Sequence, residues 1–325
     1  MTKVTVLDGS FSSQVSTHVG KCADGDPLWT ARFLVTNPDA VSSAHLDFLR
    51  AGSDIIETNT YQASVDGFKK HLGLSEEDSL ELIRKAVDLA AQAVKIYKEE
   101  IEGHDEAVNR SPLIAGSCGP YGATLHDASE YTGTYAKSVS KDFLKDWHRP
   151  RIETLIKAGV DLLAIETVPC AEEAEALVEL MKDFPDTKAW LSFSCSNDGK
   201  TLVDGSEFRD VALNCWKNAH PGQFIAVGIN CVDPHFVTQY LESLRVMPEG
   251  KDVPLIVYPN SGEVYVPETK HWKGDDRVQI ETYVHQWLDH GVQFIGGCCR
   301  VSALEIAKIR GQVETWRSQE RETSL

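Results

Sequence analysis

The sequence predicts one α/β domain folded as a (β/α)8 TIM barrel, with its functional site at the carboxyl ends of the strands. Eight short apolar segments alternate with helical patterns, and composition does not change between the two halves of the 325 residues. A doubly wound sheet is the rival fold, but the stretch 8–12 is not the glycine-rich loop that usually follows its first strand. We therefore treat 1–325 as one barrel domain. The predicted strands are 4–7, 54–58, 112–117, 161–166, 190–194, 224–229, 254–257 and 293–295.

The elements between these strands follow from residue spacing and capping residues. Ser75 and Asp78 form a capping pair, and apolar residues from Leu80 to Tyr97 then recur at three- and four-residue steps, which is typical of an amphipathic helix. In three segments a helix ends, a glycine terminates it and a buried strand follows. These segments are 51–56, 158–163 and 290–295. This recurrence indicates a repeated unit.

The end of the chain predicts two more helices. One covers roughly 278–289, before the last strand. The other begins at Ser302, which is spaced to cap it together with Glu305, and ends at about Arg317. We expect the tail at 318–325 to be frayed.

Charge and composition narrow the classes of partner. The formal net charge of -17 argues against nucleic acid or an anionic membrane surface as a partner. No stretch approaches the roughly 20 apolar residues of a membrane helix, and the N-terminus does not resemble a signal peptide. Eight cysteines in so long a chain do not form the framework of a small secreted protein. We therefore expect a reduced, cytoplasmic protein, and the sequence makes no prediction of its oligomeric state.

Polar and thiol side chains collect where the predicted strands end. Glu57, Glu166, Cys231 and Cys298 end the second, fourth, sixth and eighth strands. In a barrel of this type the inward side chains of one layer come from alternate strands. We therefore expect these four side chains to face a common centre.

Three cysteines at two strand ends have the chemistry of a soft metal site. Cys231 follows the sixth strand, and Cys298 and Cys299 follow the last one. Zn²⁺ is the commonest metal with thiolate ligands. Adjacent cysteines can share one metal only where the strand has ended or kinked, which Gly296 and Gly297 permit.

Other interpretations of these residues stay open at this point. Cys231 is also explained as a small buried hydrophobic residue. Cys298 and Cys299 are also explained as a vicinal disulfide or reactive thiol of a redox enzyme. The two glutamates at strand ends, Glu57 and Glu166, either form ion pairs with basic residues or face a polar cleft. We favour the cleft, because each follows an apolar run on which a glutamate is costly without polar surroundings.

The sequence contains no HExxH, P-loop or GxSxG motif, which argues against zincin proteases, nucleotide kinases and serine hydrolases. Two stretches that contain both glycine and cysteine are Gly228-Ile229-Asn230-Cys231 and Gly296-Gly297-Cys298-Cys299-Arg300. Together they resemble the signature of the zinc-dependent homocysteine S-methyltransferases. Asp8-Gly9 and Glu166-Thr167 also match this family. The resemblance covers nearly the whole chain.

Further stretches resemble the branch of this family that uses S-methylmethionine or S-adenosylmethionine. The betaine-dependent and cobalamin-dependent branches are less similar. The resembling stretches are Asp26-Pro27-Leu28-Trp29, His45-Leu46-Asp47-Phe48, Thr60-Tyr61-Gln62-Ala63-Ser64 and Gly119-Pro120-Tyr121-Gly122-Ala123.

The resemblance implies the roles of the site residues. It implies that Cys231, Cys298 and Cys299 ligate Zn²⁺ and take part in catalysis. It also implies that Asp8 and Glu166 hold the amino group of homocysteine. The remaining candidate substrate contacts are Glu57, Asn230, Tyr258, Asn260 and Ser261.

The expected reaction is methyl transfer from a sulfonium donor to the thiol of homocysteine, giving methionine. A cationic donor suits an acidic mouth, with Phe11, Trp29 or Tyr61 as cation–π contacts. Methylation of selenocysteine or selenohomocysteine at the same site is an alternative, as is the thiol redox enzyme.

Overall fold

A computed structural model describes residues 3–21, 23, 25–103, 110–266, 271–273 and 277–323 of the chain. Eight parallel strands form one sheet, in the spatial order β1-β10-β7-β6-β5-β4-β3-β2. Strands β8 and β9 form a separate antiparallel hairpin. The strands are β1 Thr5–Val6, β2 Ile55–Glu57, β3 Leu113–Cys118, β4 Leu162–Val168, β5 Ala189–Phe193, β6 Phe224–Asn230, β7 Leu255–Tyr258, β8 Val264–Val266, β9 His271–Lys273 and β10 Val292–Ile295.

Side-chain and backbone hydrogen bonds close the seam between β1 and β2. The Asp54 N–H donates to the Val6 carbonyl over 2.7 Å, and the Val6 N–H donates to the Asp54 carboxylate over 2.9 Å. Further along the seam, the Glu57 N–H donates to the Asp8 carboxylate over 2.8 Å. The predicted barrel is confirmed, and its two outer strands are joined largely through these carboxylates.

Helices alternate with the strands and bury the apolar residues between them. The α-helices are α1 Phe11–Val19, α2 Phe33–Thr36, α3 Pro38–Ala51, α4 Val65–Leu72, α5 Glu76–Ile101, α6 Lys141–Ala158, α7 Ala171–Met181, α8 Phe208–Asn218, α9 Pro234–Arg245, α10 Val284–Asp289 and α11 Ala303–Thr323. The short 3₁₀ helices are Trp29–Arg32, Tyr121–Thr124, Ser129–Tyr131, Thr134–Lys137, Pro248–Gly250 and Ile280–Thr282. A smaller apolar cluster of strand residues, including Ile55, Trp190 and Ile256, fills the barrel interior.

Local sequence signals place several helix ends correctly. The Ser75 side chain accepts the Asp78 N–H over 3.1 Å and donates to the Asp78 carboxylate over 2.7 Å, as predicted for the start of α5. Gly159 ends α6 with a φ of 90°, a conformation that favours glycine because it has no Cβ. At the start of α11, Glu305 accepts both the N–H and the hydroxyl of Ser302. These contacts confirm the predicted caps.

The structure differs from two of the predictions made for the end of the chain. The helix predicted over 278–289 is divided into a 3₁₀ turn and the short α10. Helix α11 continues to Thr323, so the predicted frayed tail at 318–325 is wrong as far as Thr323, and 324–325 lie outside the described residues. Arg317 fixes this part of the helix, because its guanidinium donates to the Val4 carbonyl. Within the described residues, no helix combines the length and apolar character needed to cross a membrane.

His45 on α3 is fully buried, and neither ring nitrogen has a hydrogen-bond partner among the described residues. Its ring packs against Phe11 at a centroid distance of 4.8 Å. Burial lowers the pKa of His45 from 6.5 to about 3. The folded protein therefore keeps the ring neutral at acidic pH values at which the unfolded chain binds a proton.

We expect His45→Leu to reduce the loss of stability in acid. In the wild type, the His45 contribution is complete above pH 6.5 and falls by about 1.4 kcal/mol per pH unit towards pH 3. Urea unfolding across this range measures the slope. The same substitution at the exposed His220 is the control. Identical acid slopes for wild type and His45→Leu would contradict a neutral buried ring.

Candidate active site

A cavity of about 470 Å³ opens at the carboxyl ends of the barrel strands. Its wall includes residues that end or follow β1, β2, β4, β6, β7 and β10. Of the predicted site residues, those that line it are Asp8, Glu57, Glu166, Cys231, Tyr258, Cys298 and Cys299. Asn230, Asn260 and Ser261 are not among the lining residues. The structure thus brings most of the predicted site together and places three of its members behind the wall.

Three sulfur atoms converge at one side of this cavity. The Sγ atoms of Cys231, Cys298 and Cys299 all lie within 4.8 Å of one another. The Cys231 and Cys299 sulfurs are 3.9 Å apart. When reduced to thiols, three sulfurs this close form a donor set that fits a soft divalent metal. No other group of potential ligands with this geometry occurs among the described residues.

Cys231 and Cys298 are joined as a disulfide, with Cα atoms 5.4 Å apart, and the Cys299 sulfur lies beside this pair. The vicinal Cys298–Cys299 pairing considered from the sequence is therefore wrong. The chain turns at this point, because the Cys298 carbonyl accepts the Val301 N–H over 3.0 Å. Since thiolates are the metal ligands, a metal site here requires the reduced cysteines.

The backbone explains how neighbouring cysteines reach the same point. Strand β10 ends at Ile295, before the cysteines begin. A Cβ on Gly296 would lie 2.7 Å from the Leu7 Cβ, and one on Gly297 would lie 2.2 Å from a Val301 methyl. Close packing thus requires these two glycines, and neither has a positive φ. The left-handed conformation occurs instead at Cys231, with a φ of 51° just after β6. Such conformations are costly and concentrate at functional sites.

The predicted site residues behind the wall hold the cysteine loops in place. The Asn260 side chain accepts the Cys299 N–H over 3.1 Å, and the Ser261 N–H donates to the Cys299 carbonyl over 3.0 Å. The Asn230 amide nitrogen lies 3.9 Å from the Cys298 sulfur. These contacts orient the sulfur atoms from the side away from the cavity.

Asn230 also shapes the end of β4. Its side chain accepts the Thr167 N–H over 2.8 Å and donates to the Thr167 hydroxyl over 2.7 Å. The β4–β5 register shifts between Ile165 and Val168, and Thr167 has a φ of 58°. This is a β-bulge, which redirects side chains at a strand end. It lets Glu166 line the cavity.

Three carboxyl groups form an acidic cluster in the cavity wall. Asp8 and Glu166 are each 4% exposed, and Glu57 is half-buried. Glu166 accepts a short hydrogen bond from the Ser117 hydroxyl. Burial raises the pKa of all three groups, and charge repulsion from Glu166 raises the pKa values of Asp8 and Glu57 further. A cluster of this kind is stabilised by a cation in the cavity.

Tyr258 ends β7 and is almost fully buried beneath the acidic cluster. Its hydroxyl accepts the Trp190 indole N–H over 2.9 Å and contacts the Ser192 hydroxyl. Burial, followed by the charge of Glu166, raises the pKa of Tyr258 well above its usual range. The tyrosine therefore remains a neutral phenol that links the barrel interior to the carboxyl groups.

The loop between β3 and α6 adds cavity residues that the sequence did not indicate. Glu130 and Tyr131 both line the cavity, and the Tyr131 hydroxyl lies 4.0 Å from the Cys299 sulfur. The only signal in the sequence is the length of this polar loop, since long loops in compact domains are often functional. Which of its side chains turn inward depends on its three short 3₁₀ turns.

Comparison with known proteins agrees with this geometry. A family model described as homocysteine S-methyltransferase matches residues 5–313. The chain is 48% identical over 316 residues to the betaine-homocysteine S-methyltransferase of Drosophila melanogaster, covering 96% of this chain and 94% of that protein. It is 41% identical over 309 residues to the homocysteine S-methyltransferase YbgG of Bacillus subtilis, covering 94% and 92%.

A solved structure has the same fold. The metallated form of the homocysteine methyltransferase MmuM from Escherichia coli superimposes with a TM-score of 0.81 at 38% identity, covering 95% of this chain and 96% of that one. The matched region includes the barrel, the three cysteines and the acidic cluster of this chain. The chain therefore belongs to the homocysteine S-methyltransferase family, a family of methyltransferase enzymes.

Proposed function

We propose that this protein transfers a methyl group from a sulfonium donor, S-methylmethionine or S-adenosylmethionine, to the thiol of homocysteine. The observation that carries the proposal is the joint presence of three sulfurs and the acidic cluster of Asp8, Glu57 and Glu166 in one cavity. The products are methionine and the neutral thioether left by the donor. The S–CH₃ bond of the donor breaks and its electron pair stays on the leaving sulfur. The homocysteine thiolate forms the new bond.

The acidic cluster is suited to the α-amino group of homocysteine. Asp8 and Glu166 provide buried oxygen acceptors on either side of Glu57, and no lysine or arginine forms an ion pair with them in the described part of the chain. An ammonium group bound there would favour the ionised carboxylates and so relieve their repulsion. Binding by the amino group leaves the side-chain sulfur of the substrate free to reach the cysteines.

We further propose that Cys231, Cys298 and Cys299 hold Zn²⁺. A zinc ion bound there would supply the positive charge that keeps a substrate thiol deprotonated at neutral pH. Asn230, Asn260 and Ser261 then act by orienting the cysteine loops. Aromatic side chains that line the same cavity, namely Phe11, Trp29 and Tyr61, provide faces for a sulfonium cation.

We also propose that residues 1–325 act as a single barrel domain in the cytoplasm. All residues assigned to the site come from one sheet and its loops. A site of three thiolates works only when the cysteines are reduced, and the cytosol keeps thiols reduced.

The test is a methyl-transfer assay with the zinc-loaded, reduced protein and deuterium-labelled homocysteine. We expect labelled methionine from S-methylmethionine, S-adenosylmethionine or both, detected by mass spectrometry. The label distinguishes this product from methionine that S-methylmethionine itself releases. Removal of zinc with a chelator should stop the reaction, and added zinc should restore it. If labelled methionine formed only with betaine as the donor, the proposal of a sulfonium donor would be wrong.

A further inference from the structure

Three acidic residues outside the cluster of Asp8, Glu57 and Glu166 also line the cavity. They are Asp26, Asp127 and Glu130, and of these three only Glu130 is buried. Glu130 is 8% exposed and lines the cavity. Among the described residues, its carboxyl group has no hydrogen-bond donor except its own backbone N–H, and no lysine or arginine pairs with it. Buried carboxylates without a cationic partner are costly and uncommon. A cation bound at this part of the cavity wall would therefore stabilise the ionised Glu130 carboxylate.

Hydrogen bonds to buried groups hold the loop that carries Glu130 in place. The Ser129 hydroxyl donates to the Gly122 carbonyl over 3.3 Å. The fully buried Glu173 accepts the Tyr121 N–H over 2.7 Å and also bonds the Tyr135 hydroxyl. His148 completes this buried network, with its ring nitrogen 2.7 Å from Glu173. These contacts fix both ends of the loop segment, so Glu130 is held at the cavity by the fold.

Glu130 is close to the sulfur cluster but approaches it from a different element. Glu130, Tyr61 and Cys299 line the same cavity. Tyr131, the next residue after Glu130, reaches the Cys299 sulfur with its hydroxyl. The cavity therefore has the buried carboxyl group of Glu130 on the loop side and the acidic cluster on the side of the strands.

We infer that Glu130 binds the α-ammonium group of the methyl donor. This inference rests on the proposed function. Methyl transfer between two amino acids requires both in the cavity at once, and each brings one ammonium group. The acidic cluster accommodates the ammonium of homocysteine, and the unpaired Glu130 accommodates that of the donor. Burial also raises the pKa of Glu130 to about 7, so a bound cation favours its ionised form.

Glu130→Gln tests the inference with two donors. S-Methylmethionine carries the α-amino group, and dimethylsulfoniopropionate carries a dimethylsulfonium group without it. We expect the KM for S-methylmethionine to rise about 10- to 100-fold, the range for loss of one charge-assisted hydrogen bond. The KM for homocysteine should stay within about twofold. Dimethylsulfoniopropionate should act equally on both proteins, as a substrate or, if it is not turned over, as an inhibitor.

Asp127→Asn is the matched control, because it removes the same charge from the same loop. Asp127 also lines the cavity, but it is exposed and its carboxylate already accepts the Ser129 N–H over 3.0 Å. An equal effect of both substitutions would show a general influence of loop charge and overturn the assignment. So would an unchanged KM for S-methylmethionine in a Glu130→Gln protein that keeps its thermal unfolding temperature, or an equal loss with dimethylsulfoniopropionate.

The wild-type protein separates failure of this inference from failure of the proposed function. Wild-type activity with S-methylmethionine and no donor effect of Glu130→Gln would reject only the role of Glu130. Wild-type activity with betaine alone would reject both, because the only ammonium of betaine is the methyl-donating trimethylammonium, which has no N–H to donate to Glu130.

Discussion

Replacing Cys231 or Cys298 by serine is expected to remove bound zinc and to lower methyl transfer by roughly 10³-fold or more. The structure places both sulfurs in the same three-sulfur group, so each substitution leaves an incomplete donor set. A metal supplies several kcal/mol of charge stabilisation, and each 1.36 kcal/mol is about a factor of ten in rate. Metal content per chain and the rate of methionine formation measure the two effects.

Cys195→Ser is the matched control for these variants. Cys195 is also a buried cysteine following a barrel strand, but it does not line the cavity. It should keep both zinc and activity. Retention of zinc by Cys231→Ser would contradict a site built from three thiolates. Loss of zinc with unchanged activity would contradict a role for the metal in methyl transfer.

Asp8→Asn is expected to weaken homocysteine binding by about 10- to 100-fold while making the ligand-free protein more stable at neutral pH. The amide keeps an oxygen that can accept the Glu57 N–H but removes one buried negative charge. Loss of a charged partner accounts for the weaker binding. Removal of a charge that is buried away from water, and then of its repulsion by Glu166, accounts for the gain in stability. Titration calorimetry with homocysteine and urea unfolding of the free protein measure the two quantities.

The stability gain should depend on pH in a defined direction. Because the pKa of Asp8 is raised in the folded protein, the folded state binds this proton more tightly than the unfolded state. The wild type is therefore favoured below the ordinary carboxyl pKa of about 4, and this contribution declines as pH rises through the raised pKa. Asp8→Asn should match the wild type in acid and exceed it increasingly towards neutral pH. The His45 contribution is the same in both proteins.

Glu172→Gln provides the control, because it removes a carboxylate from the exposed first turn of α7. It should change neither homocysteine binding nor the pH profile of unfolding. A loss of stability at neutral pH in Asp8→Asn would contradict the view that the cluster is strained without a cation.

Much of the fold could be predicted from local patterns in the sequence. Apolar segments mark the barrel strands, and Ser75 with Asp78 marks the start of α5, because capping and periodicity act over a few residues. The hairpin of β8 and β9 and the extension of α11 were missed. Arg317 shows why, since its guanidinium bonds the Val4 carbonyl at the other end of the chain. No local pattern contains such a contact.

The sequence by itself determined the strand-and-helix order, the position of Cys231, Cys298 and Cys299 at strand ends, and the carboxylates that share that end of the barrel. Only the tertiary structure decided which side chains meet. It paired Cys231 with Cys298, moved Asn230, Asn260 and Ser261 behind the wall, and turned Glu130 inward. The physical reason is that side-chain direction at a strand end depends on single dihedral angles and distant hydrogen bonds. The left-handed backbone at Cys231 and the Asn230 bonds to Thr167 are of this kind.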